Sequence, residues 1–198
     1  MIDQPPLAHW SPDAATDLLV GTVGDALRRT TALFPRRRAL AWPEGDGGGG
    51  GIGSMTYAEL LAQAEQVAAW LLAHAPPQSR IAVWSRNSVE WILVEYGCAL
   101  AGMTIASWNP AWTDFECRHA RDLTDPALLL AGFDTRGEPL SERGTAIMGV
   151  DRVYPLEDLR SLIATARGVP FPPVLASDPF LIQFTSGTTG KAKGATMS

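Results

Sequence analysis

Residues 185–194 read TSGTTGKAKG. Thr185, Ser186, Thr188 and Thr189 supply hydroxyl donors. Gly187 and Gly190 let backbone N–H groups converge without a Cβ in the way, and Lys191 and Lys193 add positive charge. That is the composition of a polyphosphate-binding loop, with a flexible polar surface loop as the alternative. Its spacing is neither the Walker arrangement, which needs a Gly five residues before a Gly-Lys-Ser/Thr triplet, nor the spaced dinucleotide fingerprint. Such a loop works electrostatically: it neutralises charge on phosphate oxygens and donates no nucleophile. No residue of the chain reads as a catalytic acid, base or nucleophile.

The other chemistry-bearing residues read as ordinary. His9, His74 and His119 share no metal-ligand spacing, and Cys117 and His119, two apart on a helix, point to different faces. Cys98 lies in an apolar helix and reads as core. Trp84, Trp91, Trp108 and Trp112 are expected as packing residues near strand ends, with the lining of an acyl pocket as the alternative. The basic run Arg36, Arg37 and Arg38 reads as solvated surface, and Gly47 to Gly51, which lacks a Lys or an immediate helix start, as a flexible connection.

A chain of 198 residues, 46% hydrophobic and 19% charged, can bury roughly 70% of its unfolded surface, which excludes disordered, collagenous and disulfide-rich classes. With 16 Lys and Arg against 21 Asp and Glu, it carries no general field for nucleic acid or anionic membrane, so neither is expected as a partner. Any anion must be held by local groups. Two unpaired cysteines suit a reducing cytoplasm. The start MIDQPPLAHWSPDAATD lacks a signal peptide's pattern, and the most apolar window, Trp91 to Trp108, carries Glu95, Gly97 and Gly102, so no transmembrane segment is expected.

The elements that must hold the loop follow from periodicity. A helix is predicted over Val23 to Phe34, capped by Thr22 and ended by Pro35, then a strand over Ala39 to Trp42. Thr56 and Glu59 form a capping box for a helix whose apolar face runs from Tyr57 to Leu72, and Pro76-Pro77 stops it. Ile81 to Trp84, a buried helix Val89 to Leu100 capped by Asn87 with Glu90, a closing Gly102 and the strand Thr104 to Trp108 make a parallel, right-handed βαβ unit. Thr113 and Glu116 cap a further helix to about Leu123, and Ala127 to Ala131 is strand-like. Residues 132–177 read as less regular, with a short helix over Leu156 to Ala166, and Phe180 to Phe184 is an apolar strand that feeds the loop. Alternating helices and strands predict an α/β fold, a parallel or mixed sheet flanked by helices.

TSGTTGKAKG after an apolar strand resembles the phosphate loop of the adenylate-forming superfamily of acyl-CoA synthetases, luciferases and peptide-synthetase adenylation domains. MTYAEL at 55–60 resembles that family's first core motif and LAGMTIASWNPAWT at 100–113 its second, in the expected order, from about Leu27 onward. The SWNPAWT form, with Asn109-Pro110, is more similar to fatty or aryl acyl-CoA ligases than to amino-acid-activating domains, which usually end there in an aspartate-rich stretch. The resemblance implies two steps: a carboxylate, a fatty acid first, attacks the α-phosphorus of Mg-ATP, and coenzyme A thiol then displaces AMP. The alternatives are an amino-acid or aryl-acid adenylating enzyme, or a nucleotide-binding module without turnover.

By position in the motif, Thr185, Ser186, Gly187, Thr188, Thr189 and Gly190 would wrap the β- and γ-phosphates, Lys193 would be the usual lysine, and Thr185 would neighbour Mg2+. Ala192 stands where the family usually has proline. The family's adenine, Mg2+ and ribose motifs, its hinge and the C-terminal domain with the catalytic lysine all lie downstream. The resemblance therefore implies that residues 1–198 are the amino-terminal portion of an AMP-binding domain, inactive alone. An end at Ser198 is expected to leave the strand after the loop unmade.

Overall fold

The computed structural model describes residues 20–44, 51–166, 168–185 and 192–198. Helix α1, Val23–Leu33, begins at Thr22, which exchanges capping hydrogen bonds with Asp25. Strands β1, Arg38–Pro43, and β2, Ile52–Thr56, form an antiparallel ribbon. In helix α2, Tyr57–His74, the Thr56–Glu59 capping box is formed as predicted. Then follow β3, Arg80–Trp84; α3, Val89–Ala101; β4, Thr104–Trp108; α4, Asp114–Thr124, behind the Thr113–Glu116 capping box; and β5, Leu128–Ala131. Helix α5, Ser141–Met148, strand β6, Val153–Pro155, and the short α6, Leu159–Ile163, lead to β7, Leu181–Thr185, and β8, Lys193–Met197.

The main sheet has the order β6-β5-β3-β4-β7-β8, parallel from β6 to β7 and antiparallel only between β7 and β8. Helices cover both faces of its centre, so β3, β4 and β5 are almost continuously buried, which is why they read as unbroken apolar runs. Successive residues face opposite ways. Ile81, Val83, Ile105 and Leu130 pack with Val67 and Leu71 of α2 and Leu93 and Cys98 of α3. Ala82, Trp84, Ala106 and Trp108 pack with Cys117 and Ala120 of α4 and Ile147 and Met148 of α5.

Two glycines set the spacing. A Cβ on Gly97 would fall 2.4 Å from Val67 Cγ1, so its absence is what lets α2 and α3 approach. Gly102, at φ 64° and ψ 38°, closes α3 in the left-handed region as expected.

Several boundaries differ from the sequence reading. Ser88, not Asn87, caps α3: its extended backbone lets Oγ accept the Trp91 N–H at 3.1 Å, which moves the cap one residue on, removes Glu90 from the capping-box position and leaves the helix starting at Val89 as predicted. The helix predicted over Leu156 to Ala166 is a 3-10 turn, Leu156–Asp158, followed by α6, with the break at Asp158, φ −84° and ψ 0°. Helix α5 and strand β6 occupy the stretch read as irregular, and β2 lies in a segment too glycine-rich to read as a strand.

The largest correction concerns the strand after the loop. It is made: β8 pairs with β7 over five residues, Leu181↔Met197 to Thr185↔Lys193, although all of its own residues are exposed. Backbone pairing to a neighbouring strand stabilises it without an apolar face of its own, so no alternation marks it in the sequence. Arg36, Arg37 and Arg38 are exposed, as expected. Gly47 to Gly50 of the glycine run and His9 lie outside the described residues.

Candidate functional site

Parallel strands β3, β4 and β7 end on the same side of the sheet, the side where open α/β sheets bind ligands. A cavity of about 630 Å³ opens there. Ser85, Arg86 and Asn87 border it beyond β3, Ser107, Trp108 and Asn109 at the end of β4, and Gln183, Phe184 and Thr185 at the end of β7; Trp91, Trp112, Glu116 and Ala192 complete the wall.

The turn after β4 is built by Asn109. Its Oδ1 accepts the Ala111 N–H at 2.9 Å, and its carbonyl accepts both the Trp112 N–H and the Trp84 Nε1–H at 3.0 Å. Arg143 of α5 lies over the Trp84 ring, 4.7 Å from its centre, donates to the Trp112 carbonyl at 3.1 Å and pairs with Asp114 at 2.7 Å. Both charged partners are about 40% exposed, so the ion pair contributes at most roughly 1 kcal/mol; its main effect is to orient the turn. Trp112 is thereby aimed at β7. Trp91, Trp108, Trp112 and Phe184 give the cavity an aromatic wall, so three of the four tryptophans read chiefly as packing residues also face the site, while Trp84 serves as its buried support.

Polar side chains share the lining: Ser85, Arg86, Asn87, Ser107, Asn109, Glu116, Gln183 and Thr185. Arg86 is exposed beside the cavity, and its guanidinium lies 5.7 Å from the centre of the Phe133 ring. Glu116 is already engaged: the Thr113 N–H and hydroxyl donate to Oε2 at 2.8 and 2.7 Å, and these bonds hold its carboxyl below the usual carboxylate range. Among the described residues no cluster of three or more His, Cys, Asp or Glu side chains is placed to hold a metal ion.

Of the predicted phosphate-binding residues that are described, Thr185 borders this cavity, and Lys193 lines a second one of about 550 Å³ that shares Ala192 with it and also holds His119. Thr185 ends β7 and Lys193 begins β8; they are register partners, and Thr185 Oγ1 donates to the Lys193 carbonyl at 3.4 Å. Residues 186–192 thus connect the two strands of a β-hairpin, and Ala192, at its end, borders the cavity. Lys193 is exposed, and no ion pair among the described residues engages it. Ser186, Gly187, Thr188, Thr189, Gly190 and Lys191 lie outside the described residues.

Of the histidines, His74 Nδ1 meets the Trp70 carbonyl at 2.7 Å. His119 is placed where no sequence signal pointed: its Nε2 is 3.0 Å from the Ala192 carbonyl, while Cys117 packs into the core, on a different face of α4 from His119 as expected. No local signal marks a contact between residues 73 positions apart.

Comparison with known proteins points the same way as this geometry. Medium-chain acyl-CoA ligase ACSF2, mitochondrial, of Danio rerio is 30% identical over 89% of this chain and 34% of its own length. The chain spans about a third of the length of the curated relatives it matches. Among solved structures, VinN in complex with 3-methylaspartate is 25% identical with a TM-score of 0.72, over 89% of this chain and 47% of VinN. The inhibitor-bound N-terminal domain of FACL13 from Mycobacterium tuberculosis is 25% identical with a TM-score of 0.75, over 88% of this chain and 44% of that one. The model of the AMP-binding enzyme family matches residues 27–198, from α1 through β8. The chain therefore belongs to the AMP-binding enzyme family.

Proposed function

We propose that this chain is the phosphate-gripping, amino-terminal portion of an AMP-forming acyl-CoA ligase that activates a fatty acid. The observation that carries the reading is the β7–β8 pairing, which sets Thr185 and Ala192 at the edge of an aromatic-walled cavity. In the first half-reaction a carboxylate oxygen bonds to the α-phosphorus of ATP, the α–β phosphoanhydride breaks, and pyrophosphate leaves with the electron pair. Backbone N–H groups and hydroxyls from Thr185 to Gly190, with the Lys193 ammonium, are the donors that would meet the charge growing on the leaving oxygens. Coenzyme A thiol then attacks the acyl carbon and AMP leaves.

Magnesium fits this donor set as a companion of ATP. It binds hard oxygens and keeps waters and phosphate oxygens as ligands, and Thr185 offers one neutral oxygen beside them. The acid is argued from the wall. Trp91, Trp108, Trp112 and Phe184 suit an apolar chain, and Glu116, the one carboxylate among the described residues that borders the cavity, is committed to its Thr113 cap rather than free for an ammonium group. That favours a fatty acid over an amino acid; VinN, solved with 3-methylaspartate, keeps the amino-acid alternative specific. Two buried free thiols, Cys98 and Cys117, suit a cytoplasmic enzyme, and no helix among the described residues is long and apolar enough to cross a membrane.

The test is acid-dependent ATP–pyrophosphate exchange by the full gene product, with dodecanoate, benzoate and L-aspartate compared. Exchange greatest with dodecanoate is the expected result; exchange with L-aspartate alone turns the reading to the amino-acid alternative, and ATP binding without exchange to a nucleotide-binding module. The 198-residue chain assayed alone is expected to consume no coenzyme A, because nothing among its described residues brings carboxylate, adenine and thiol together.

A further inference from the structure

His119 lies on α4, and its Nε2 stands 3.0 Å from the carbonyl oxygen of Ala192, the residue directly before β8. A carbonyl only accepts, so Nε2 carries the proton and donates it. The next carbonyl along the chain, that of Lys193, accepts from Thr185 Oγ1 at 3.4 Å. Two consecutive carbonyls at the end of the hairpin connection are therefore each held by a side chain, one reaching from a helix and one from the partner strand. Ala192 has no ring to fix its φ, so it needs such an external restraint more than a proline would.

The consequence is geometric. The peptide unit that carries the Ala192 carbonyl also carries the Lys193 N–H, and it is planar. Fixing the carbonyl fixes that plane and the Lys193 N–Cα bond in it; with the Lys193 φ held by strand pairing to Thr185, the direction of its Cα–Cβ bond follows. We infer that His119 is a positioning residue for Lys193: its hydrogen bond to Ala192 aims the lysine at the nucleotide's phosphates. The inference rests on the proposed function, because it takes Lys193 as the phosphate lysine. Nothing in it requires His119 to touch the ligand.

A double-mutant cycle on the full gene product tests this, with MgATP affinity read by titration and acid-dependent pyrophosphate exchange measured in parallel. His119→Asn keeps a polar side chain of similar size, but its amide is too short to reach Ala192; it is expected to weaken MgATP binding about fivefold, the value of one ordinary hydrogen bond. His119→Gln, whose amide nitrogen can take the place of Nε2, is expected within about twofold of wild type. In a Lys193→Ala background His119→Asn is expected to have no further effect, since the two act through one contact. Unchanged affinity in His119→Asn, equal losses in the Asn and Gln variants, or additive losses with Lys193→Ala would each overturn the inference while leaving the ligase reading intact. A wild-type protein that neither binds MgATP nor catalyses exchange overturns the ligase reading itself, and this inference with it.

Discussion

The Trp112 ring meets the Phe184 ring edge-on, with centroids 5.1 Å apart and planes at 81°, and so ties the turn after β4 to the penultimate residue of β7. The contact joins the aromatic wall of the cavity to the strand that feeds the phosphate loop. An edge-to-face pair adds about 0.5–1.5 kcal/mol beyond the area it buries. Trp112 is only half-buried, so Trp112→Ala is expected to lower stability by about 2 kcal/mol, less than the 3–5 kcal/mol typical of a fully buried ring. If the wall receives the acyl chain, the same change raises KM for the fatty acid several-fold and leaves KM for ATP nearly unchanged. Steady-state kinetics with each substrate varied in turn decide it: equal rises in both constants would count against an acyl wall.

Lys193→Ala is expected to slow pyrophosphate exchange about ten- to a hundredfold, since a charge-assisted contact is worth roughly 1.5–3 kcal/mol when it acts mainly in the transition state. Acyl-adenylate affinity should fall much less, because the β- and γ-oxygens have departed once the adenylate exists. Lys191→Ala should have a far smaller effect on exchange, and Ala192→Pro should be tolerated or slightly stabilising. Equal losses at the two lysines, or none at either, would remove Lys193 from the role.

The caps and the site were unequally legible in the sequence, for a physical reason. Thr56 with Glu59 and Thr113 with Glu116 satisfy each other across three residues, so a local pattern is enough to reveal both, and the closing role of Gly102 is equally local. The parallel core strands announced themselves because helices cover both of their faces. Strand β6, three residues long, exists through its pairing with β5, and β8 through its pairing with β7; neither carries an apolar pattern of its own. The same distinction holds at the site: TSGTTGKAKG is contiguous and readable, whereas Trp91, Trp112, Arg86 and His119 reach it from elements that only folding brings together.

Gly97→Ala tests the contact that spaces α2 from α3. Alanine gains roughly 1 kcal/mol in helix propensity over glycine, but its Cβ would stand 2.4 Å from Val67 Cγ1 and 2.8 Å from Val67 Cβ, and overpacking of this kind typically costs about 1–3 kcal/mol. Val67 is itself fully buried in the first core, so it has little room to move. A net loss of about 1–2 kcal/mol is expected, read as a lowered Tm, with partial recovery in the Gly97→Ala, Val67→Ala double variant, where the clashing methyl groups are gone. A single variant as stable as wild type would mean that the helices separate at little cost.

Glu116 predicts an acid dependence whose sign follows from its cap. The Thr113 backbone N–H and hydroxyl favour the charged carboxylate and hold its pKa below the ordinary value of about 4.3. A carboxyl whose pKa is depressed by folding adds stability that is fully present above its unfolded pKa and is lost as pH falls through the folded one. Asp25 and Glu59, in the other two capping boxes, shift the same way, so acid melting of the wild type draws on all three helix starts. Glu116→Gln keeps the side-chain length but removes the charge. It is expected to lower Tm at neutral pH, and the gap from wild type should narrow as the pH drops from about 5 toward about 3, where the wild-type carboxyl is increasingly protonated. Thermal melts of both proteins across that range measure the gap directly; a gap that stays constant would show that the charge of Glu116 contributes nothing to the start of α4.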